Sequence, residues 1–168
     1  MTESFEIRSR LTAFCQALVD QQAARVIVAP QDCSSGFWFG GGNMVAGPDG
    51  NLYVVGRYRN AGDSRTGVAA GTRGLELAIF ESQDQGFTFN KVVSWDKPAL
   101  DSSTGQTLSI EGSCLRFTDG GVELFVSTEK NGVAYPDSVS DFLKPGAGVW
   151  SIDVLRAESI DGLRAASV

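Results

Sequence analysis

Beyond Pro30 the chain is cut by glycine, aspartate, asparagine and serine into short runs of β-branched and aromatic residues, and those runs recur in the same order. Gly42-Asn43-Met44-Val45 aligns with Gly112-Ser113-Cys114-Leu115, Asp49-Gly50 with Asp119-Gly120, and Gly74-Leu75 with Gly148-Val149. The two aspartates stand 70 positions apart. One Asp-Gly turn says little, because both residues are common wherever a turn needs a positive φ or a side chain that bonds its own backbone. Their order, with a long polar insertion at the same place in each set, is what constrains the fold. The pattern predicts a repeated four-stranded antiparallel unit, the unit of a β-propeller blade. A β-sandwich with repeated hairpins is the competing arrangement.

In the first set the expected strands are 42–47, 52–58, 75–81 and 87–95, with an insertion at 59–73. In the second they are 110–117, 122–128 and 149–155, with an insertion at 129–146 and a poor fourth strand near Leu163. The leader differs in kind. Phe5, Ile7, Leu11, Phe14, Leu18 and Val19 recur at helical intervals, and Arg25 to Ala29 reads as a short strand ended by Pro30. The expected organisation is therefore a helical leader with a short strand over 1–36 and a β-propeller-type region over 37–168, with blades at 37–96 and 107–168. The fold class is all-β with an N-terminal helix.

Composition narrows the chemistry. The chain has no histidine, which excludes Ser-His-Asp and Cys-His catalysis, a histidine base and any zinc site built on imidazole. Acidic residues outnumber basic ones, 20 to 14, so no broad phosphate-binding surface and no nucleic-acid partner is expected. Cys15, Cys33 and Cys114 are too scattered for a disulfide framework or a metal cluster, so neither metal nor cofactor is expected. The first 25 residues carry charges throughout, and no segment approaches the roughly 20 apolar residues that cross a bilayer. A cytoplasmic protein without a membrane partner is expected, unless a signal peptide has been removed.

Between the third and fourth strands of the first set lies Ser82-Gln83-Asp84-Gln85-Gly86-Phe87-Thr88-Phe89. An aspartate here can accept bonds from nearby amides and hold a hairpin, while the glycine supplies a positive φ. The octapeptide resembles the Asp-box, S-x-D-x-G-x-T-W/F, of sialidases and related propeller proteins. Ser82, Asp84, Gly86, Thr88 and Phe89 occupy its defining positions, and Ser159-Ile160-Asp161-Gly162 is a degenerate echo. The resemblance implies a structural role for the box, on the outer rim, with its final aromatic packed between sheets. The strand pattern is also similar to that of five-bladed propeller glycosidases, whose acidic residues stand near the starts of inner strands and point into a central funnel.

Glu111, in Ser109-Ile110-Glu111-Gly112, occupies that kind of position and is the expected general acid. A charge on a loop lip or an arginine partner is the plainer alternative. Asp63 is the weaker candidate for the second carboxylate that glycoside hydrolysis needs. Trp38, Asn43, Arg57, Arg59, Arg73 and Tyr135 are expected substrate-binding residues. The arginines are suited to clamping an anion, the aromatics to stacking on a sugar, and Asn43 to binding a hydroxyl. They do not make a complete arginine triad, so no sialic-acid substrate follows.

The implied function is a glycoside hydrolase acting on a carbohydrate substrate. The alternative is a propeller module that binds glycans or a protein without catalysis. Propellers use four to eight blades, and two sets fill this length, so the expectation is an incomplete propeller completed by further sequence or by self-association.

Overall fold

In the computed structural model the described residues are 2–60, 74–103, 105–142 and 148–167. Helix α1 spans Thr2–Leu18. Eight strands follow: β1 (Trp38–Gly40), β2 (Met44–Ala46), β3 (Leu52–Arg59), β4 (Glu76–Ser82), β5 (Asn90–Asp96), β6 (Gln106–Thr118), β7 (Gly121–Asn131) and β8 (Val149–Ala157). They form two antiparallel sheets. In the first, β3, β4 and β5 are a meander, and β1 and β2 share the free side of β3. In the second, β6, β7 and β8 follow one another.

The two sheets pack face to face because each strand alternates. Tyr53 and Val55 of β3, Leu77 and Ile79 of β4, and Val93 and Trp95 of β5 point inward from the first sheet. Leu115 of β6, Val122, Leu124 and Val126 of β7, and Leu155 of β8 meet them from the second. The opposite face of the first sheet carries a smaller cluster, Tyr58, Ala78 and Phe80, covered by Val28, Phe39 and Phe89.

The Asp-Gly turn at 119–120 closes the longest hairpin, β6–β7, whose strands outrun the expected 110–117 and 122–128 at both ends. The second half of the expected repeat is shorter than the first. Where a fourth strand was expected near Leu163, the chain forms a 3-10 helix over Asp161–Ala165. Ile160 and Leu163 stand three apart, which eclipses them on one side of such a turn, and both are buried in the inter-sheet core. Arg164 then donates to the carbonyl of Val92 on β5.

Two expectations for the leader also change. Residues 25–29 form no strand, and the region instead runs along the first sheet, with the Arg25 guanidinium on the Gly86 carbonyl at 2.7 Å. Helix α1 forms as its spacing predicts, but its apolar residues are not buried: Phe5, Leu11, Phe14 and Leu18 are all exposed. No helix among the described residues is long and apolar enough to cross a membrane.

Candidate functional site

The site builds on β6. Its ladder to β7 shifts register between Ile110 and Ser113, so Glu111 and Gly112 form a bulge with no opposite partner. Backbone bonds to the first sheet bracket that bulge: the Ile110 N–H donates to the carbonyl of Gly74 at 3.0 Å, and the Ser113 N–H to that of Gly41 at 2.9 Å. Two residues further on, the Asn43 carboxamide bonds both backbone groups of Leu115. Its oxygen accepts from the N–H at 2.8 Å and its Nδ2 donates to the carbonyl at 3.0 Å. The edge of β6 is thus pinned on both sides of Glu111.

Close approach is what requires glycine in this stretch. A Cβ on Gly74, which holds φ +57°, would collide with the Ile110 carbonyl, and one on Gly42 would collide with that of Val55. The triple glycine at 40–42 is therefore the means by which the first sheet reaches β6. Between the bonds at Ile110 and Ser113 the Glu111 side chain takes one direction.

That direction is toward β3. Glu111 is 7% exposed, and its Oε2 lies 3.2 Å from Nη2 of Arg57. Its Oε1 is 2.7 Å from the Ser109 hydroxyl, which donates to it and is itself buried. Arg57 in turn lies under the indole of Trp38, with its guanidinium carbon 5.0 Å from the ring centroid. Trp38 is 41% exposed, so its ring remains accessible above the buried pair. Arg59 stands opposite Trp38 in the β1–β3 register and is buried. The structure therefore brings together four of the residues named from sequence: Glu111, Arg57, Arg59 and Trp38.

The others lie elsewhere. Asn43 is engaged by Leu115, which takes one donor and one acceptor of its carboxamide. Tyr135 is half-buried on the edge of β8, where its hydroxyl accepts from the Trp150 N–H at 3.0 Å. Asp63 and Arg73 fall outside the described residues. Ser109 was missed, and the only signal for it was its i−2 position, which puts it on the same face as Glu111 in a strand.

The 82–89 segment joins β4 to β5 as a turn closed on Asp84. One Asp84 oxygen accepts from the Thr88 N–H and the Ser82 hydroxyl, both at 2.8 Å, and the other from the Thr88 hydroxyl at 2.6 Å. Those bonds, that of the Thr88 hydroxyl above all, lower the Asp84 carboxyl to about 2. Gln85 and Gly86 both take positive φ, 60° and 89°, so the turn needs a permissive residue at its tip. Phe89 does not pack between the two sheets as expected. It covers the outer cluster beside Phe80.

A second polar group sits at the far end of the sheets. The Tyr53 hydroxyl contacts Asp49 at 2.7 Å and Glu81 at 2.8 Å, and burial together with these carboxylates pushes it up. The same bond from Tyr53 lowers Asp49. Asp49, Asp119, Glu158 and Asp161 line a cleft there. Among the described residues, no three His, Cys, Asp or Glu side chains are grouped to hold a metal ion. Lys130, fully buried, is neutralised by Asp153 at 3.1 Å and donates to Thr107 and to the Leu100 carbonyl. It ties the second sheet to the 3-10 turn at Pro98–Leu100.

No model of a known protein family matches the chain, and neither curated proteins nor solved structures include a significantly similar one.

Proposed function

We propose that this chain carries the acid side of a propeller-type glycoside hydrolase, with its two sheets as blades and Glu111 as the proton donor. The observation that carries the reading is the bulge in β6. Bulges re-aim a side chain out of its ladder and are frequent beside active sites, and this one carries a carboxyl that is almost wholly buried against Arg57 and Ser109. On the far side of Arg57 an exposed tryptophan offers the flat apolar surface on which the C–H face of a sugar stacks. In this mechanism Glu111 gives its proton to the glycosidic oxygen as the bond to the anomeric carbon breaks. A second carboxylate then activates water or attacks the sugar. Asp63 remains the candidate for that second role.

The second reading, a glycan-binding module without catalysis, is favoured by one observation. Both oxygens of Glu111 already have donors, Ser109 and Arg57, which is also how a structural inter-sheet tie is satisfied. The two readings separate on one variant. Glu111→Gln should lower turnover of aryl glycosides with poor leaving groups by about 100-fold or more, and spare those whose leaving group needs no proton. Hydrolysis unchanged across the panel removes Glu111 from the chemistry. Glycan affinity that persists in that variant and is lost in Trp38→Ala supports the binding module.

A further inference from the structure

Helix α1 is folded but packs on neither sheet. Its side chains from Phe5 to Leu18 are all exposed, and none belongs to either core cluster. A 17-residue helix that carries Phe5, Ile7, Ser9, Thr12 and Phe14 is marginal in water by itself, because helices draw most of their stability from burying an apolar stripe. The stripe here is Ile7, Leu11, Phe14 and Leu18, at successive intervals of four, three and four. At about 100° per residue these four lie within an arc of about 60°. A helix facing a globular core carries a stripe of about 100° or more, whereas this narrow one is the alternating a and d seam of a coiled coil.

The positions beside the seam choose its partner. With Leu11 and Leu18 at a and Ile7 and Phe14 at d, Arg8 and Cys15 fall at e, and Glu3, Arg10 and Ala17 at g. In a parallel pair each g residue meets the e residue of the following heptad in the other chain. That sets Glu3 against Arg8 twice, once on each side, and Arg10 against the uncharged Cys15. An antiparallel pair sets Arg8 against Cys15 and Arg10 against Ala17, and joins no opposite charges. The outer face of β6, β7 and β8, which exposes Trp150 and Ile152, suits the helix less well. Arg116 and Arg156 stand exposed beside it with the same sign as Arg8 and Arg10, and the carboxylate between them, Glu123, is already paired with both.

We propose that α1 is a dimerisation element, in which Ile7, Leu11, Phe14 and Leu18 pair in parallel with the same residues of a second copy. Each a and d side chain then packs into the hole between side chains of the facing helix, about a two-fold axis that runs along the pair. The seam is short, so the dimer is reversible and grows with concentration. The contacts that join the chains are also those that stabilise the helix, so α1 gains helicity as it pairs.

This inference does not rest on the hydrolase reading, and Glu111→Gln leaves it untouched. The test is sedimentation of the full chain across a concentration series, in which the wild type should rise toward twice the chain mass. Leu11→Lys should stay monomeric and keep the urea transition of the sheets, because α1 packs on neither of them. Ile152→Ser, on the outer face of β8, should dimerise as the wild type does. Arg8→Glu and Glu3→Lys should each weaken dimerisation by about fivefold or more, since two attractive pairs become repulsive. The double variant with both changes should recover it. A wild type that is monomeric at every concentration overturns the proposal. A dimer that survives Leu11→Lys, or is lost in Ile152→Ser, overturns it by moving the contact to the sheets. A double variant no tighter than the single ones overturns the parallel pairing, and the proposal with it.

Discussion

Replacing Asn43 with alanine separates a structural clamp from a ligand contact. The wild-type carboxamide satisfies both backbone groups of Leu115, a residue that is 1% exposed, across the junction of the two sheets. Truncation leaves an N–H and a carbonyl without partners, and each buried unsatisfied group costs about 1–3 kcal/mol. Asn43 itself is half-buried, so water can enter part of the vacated space, and the low end of the range applies to both groups. The expected loss is about 2–3 kcal/mol, a large share of the ~5–15 kcal/mol that holds a domain together. At a urea m-value of roughly 2 kcal/mol/M, the midpoint should fall by about 1–1.5 M with the slope unchanged. Asn43→Asp is the companion measurement. It keeps an acceptor for the Leu115 N–H but sets an oxygen against the Leu115 carbonyl, so it should not recover the loss. An alanine variant within about 0.5 kcal/mol of wild type refutes the clamp, since surface substitutions away from such bonds stay inside that margin.

Two other perturbations test the packing. Asp84 has a folded-state carboxyl lowered to about 2, against about 3.9 when unfolded, so the stability it contributes is present above the unfolded value and is lost as pH falls through the interval between the two. Urea midpoints measured down that interval should fall less steeply for Asp84→Asn than for wild type, and equal slopes would remove Asp84 from the hairpin's stability. Leu163→Ala should cost about 2–5 kcal/mol, because the side chain is fully buried in the inter-sheet core. A near-neutral result in thermal or urea unfolding would mean that the terminal 3-10 turn is not docked.

How far the sequence could be read depended on where each segment found its partner. The β6–β7 hairpin was legible because Val122, Leu124 and Val126 alternate beside an Asp-Gly turn, which is local information. Residues 25–29 have the same β-branched character and still form no strand: Val28 packs on the outer face of the first sheet and Arg25 bonds the Gly86 carbonyl. β1 went unseen for the opposite reason: Trp38-Phe39-Gly40 is too short and too close to the glycines to signal a strand, yet β3 extends far enough to pair it. The 3-10 turn was legible in principle, since Ile160 and Leu163 have the three-residue spacing of one face, but the preceding repeat argued for a strand.

The candidate site divides along the same line. Glu111 was identifiable from its neighbours, whereas its bulge, its Ser109 partner and its Arg57 partner 54 positions away all depend on the register between and within sheets. The residues that hold the site are also the ones that hold the sheets together. Gly41, Asn43 and Gly74 bond β6 at Ser113, Leu115 and Ile110, on either side of the register shift that holds Glu111. A bulge in a free edge strand could relax back into register and carry its side chain to the opposite face, since a one-residue slip reverses every position. Pinned on both sides, this one cannot slip without breaking backbone bonds between the sheets. The direction of Glu111 is therefore fixed by stability rather than by Arg57 or Ser109, and a variant at either partner should alter the charge and hydrogen bonding of the carboxyl without moving it. That separation is why Glu111→Gln, which keeps the shape and one acceptor, probes chemistry, while Asn43→Ala, which frees Leu115 on the same junction, probes the fold.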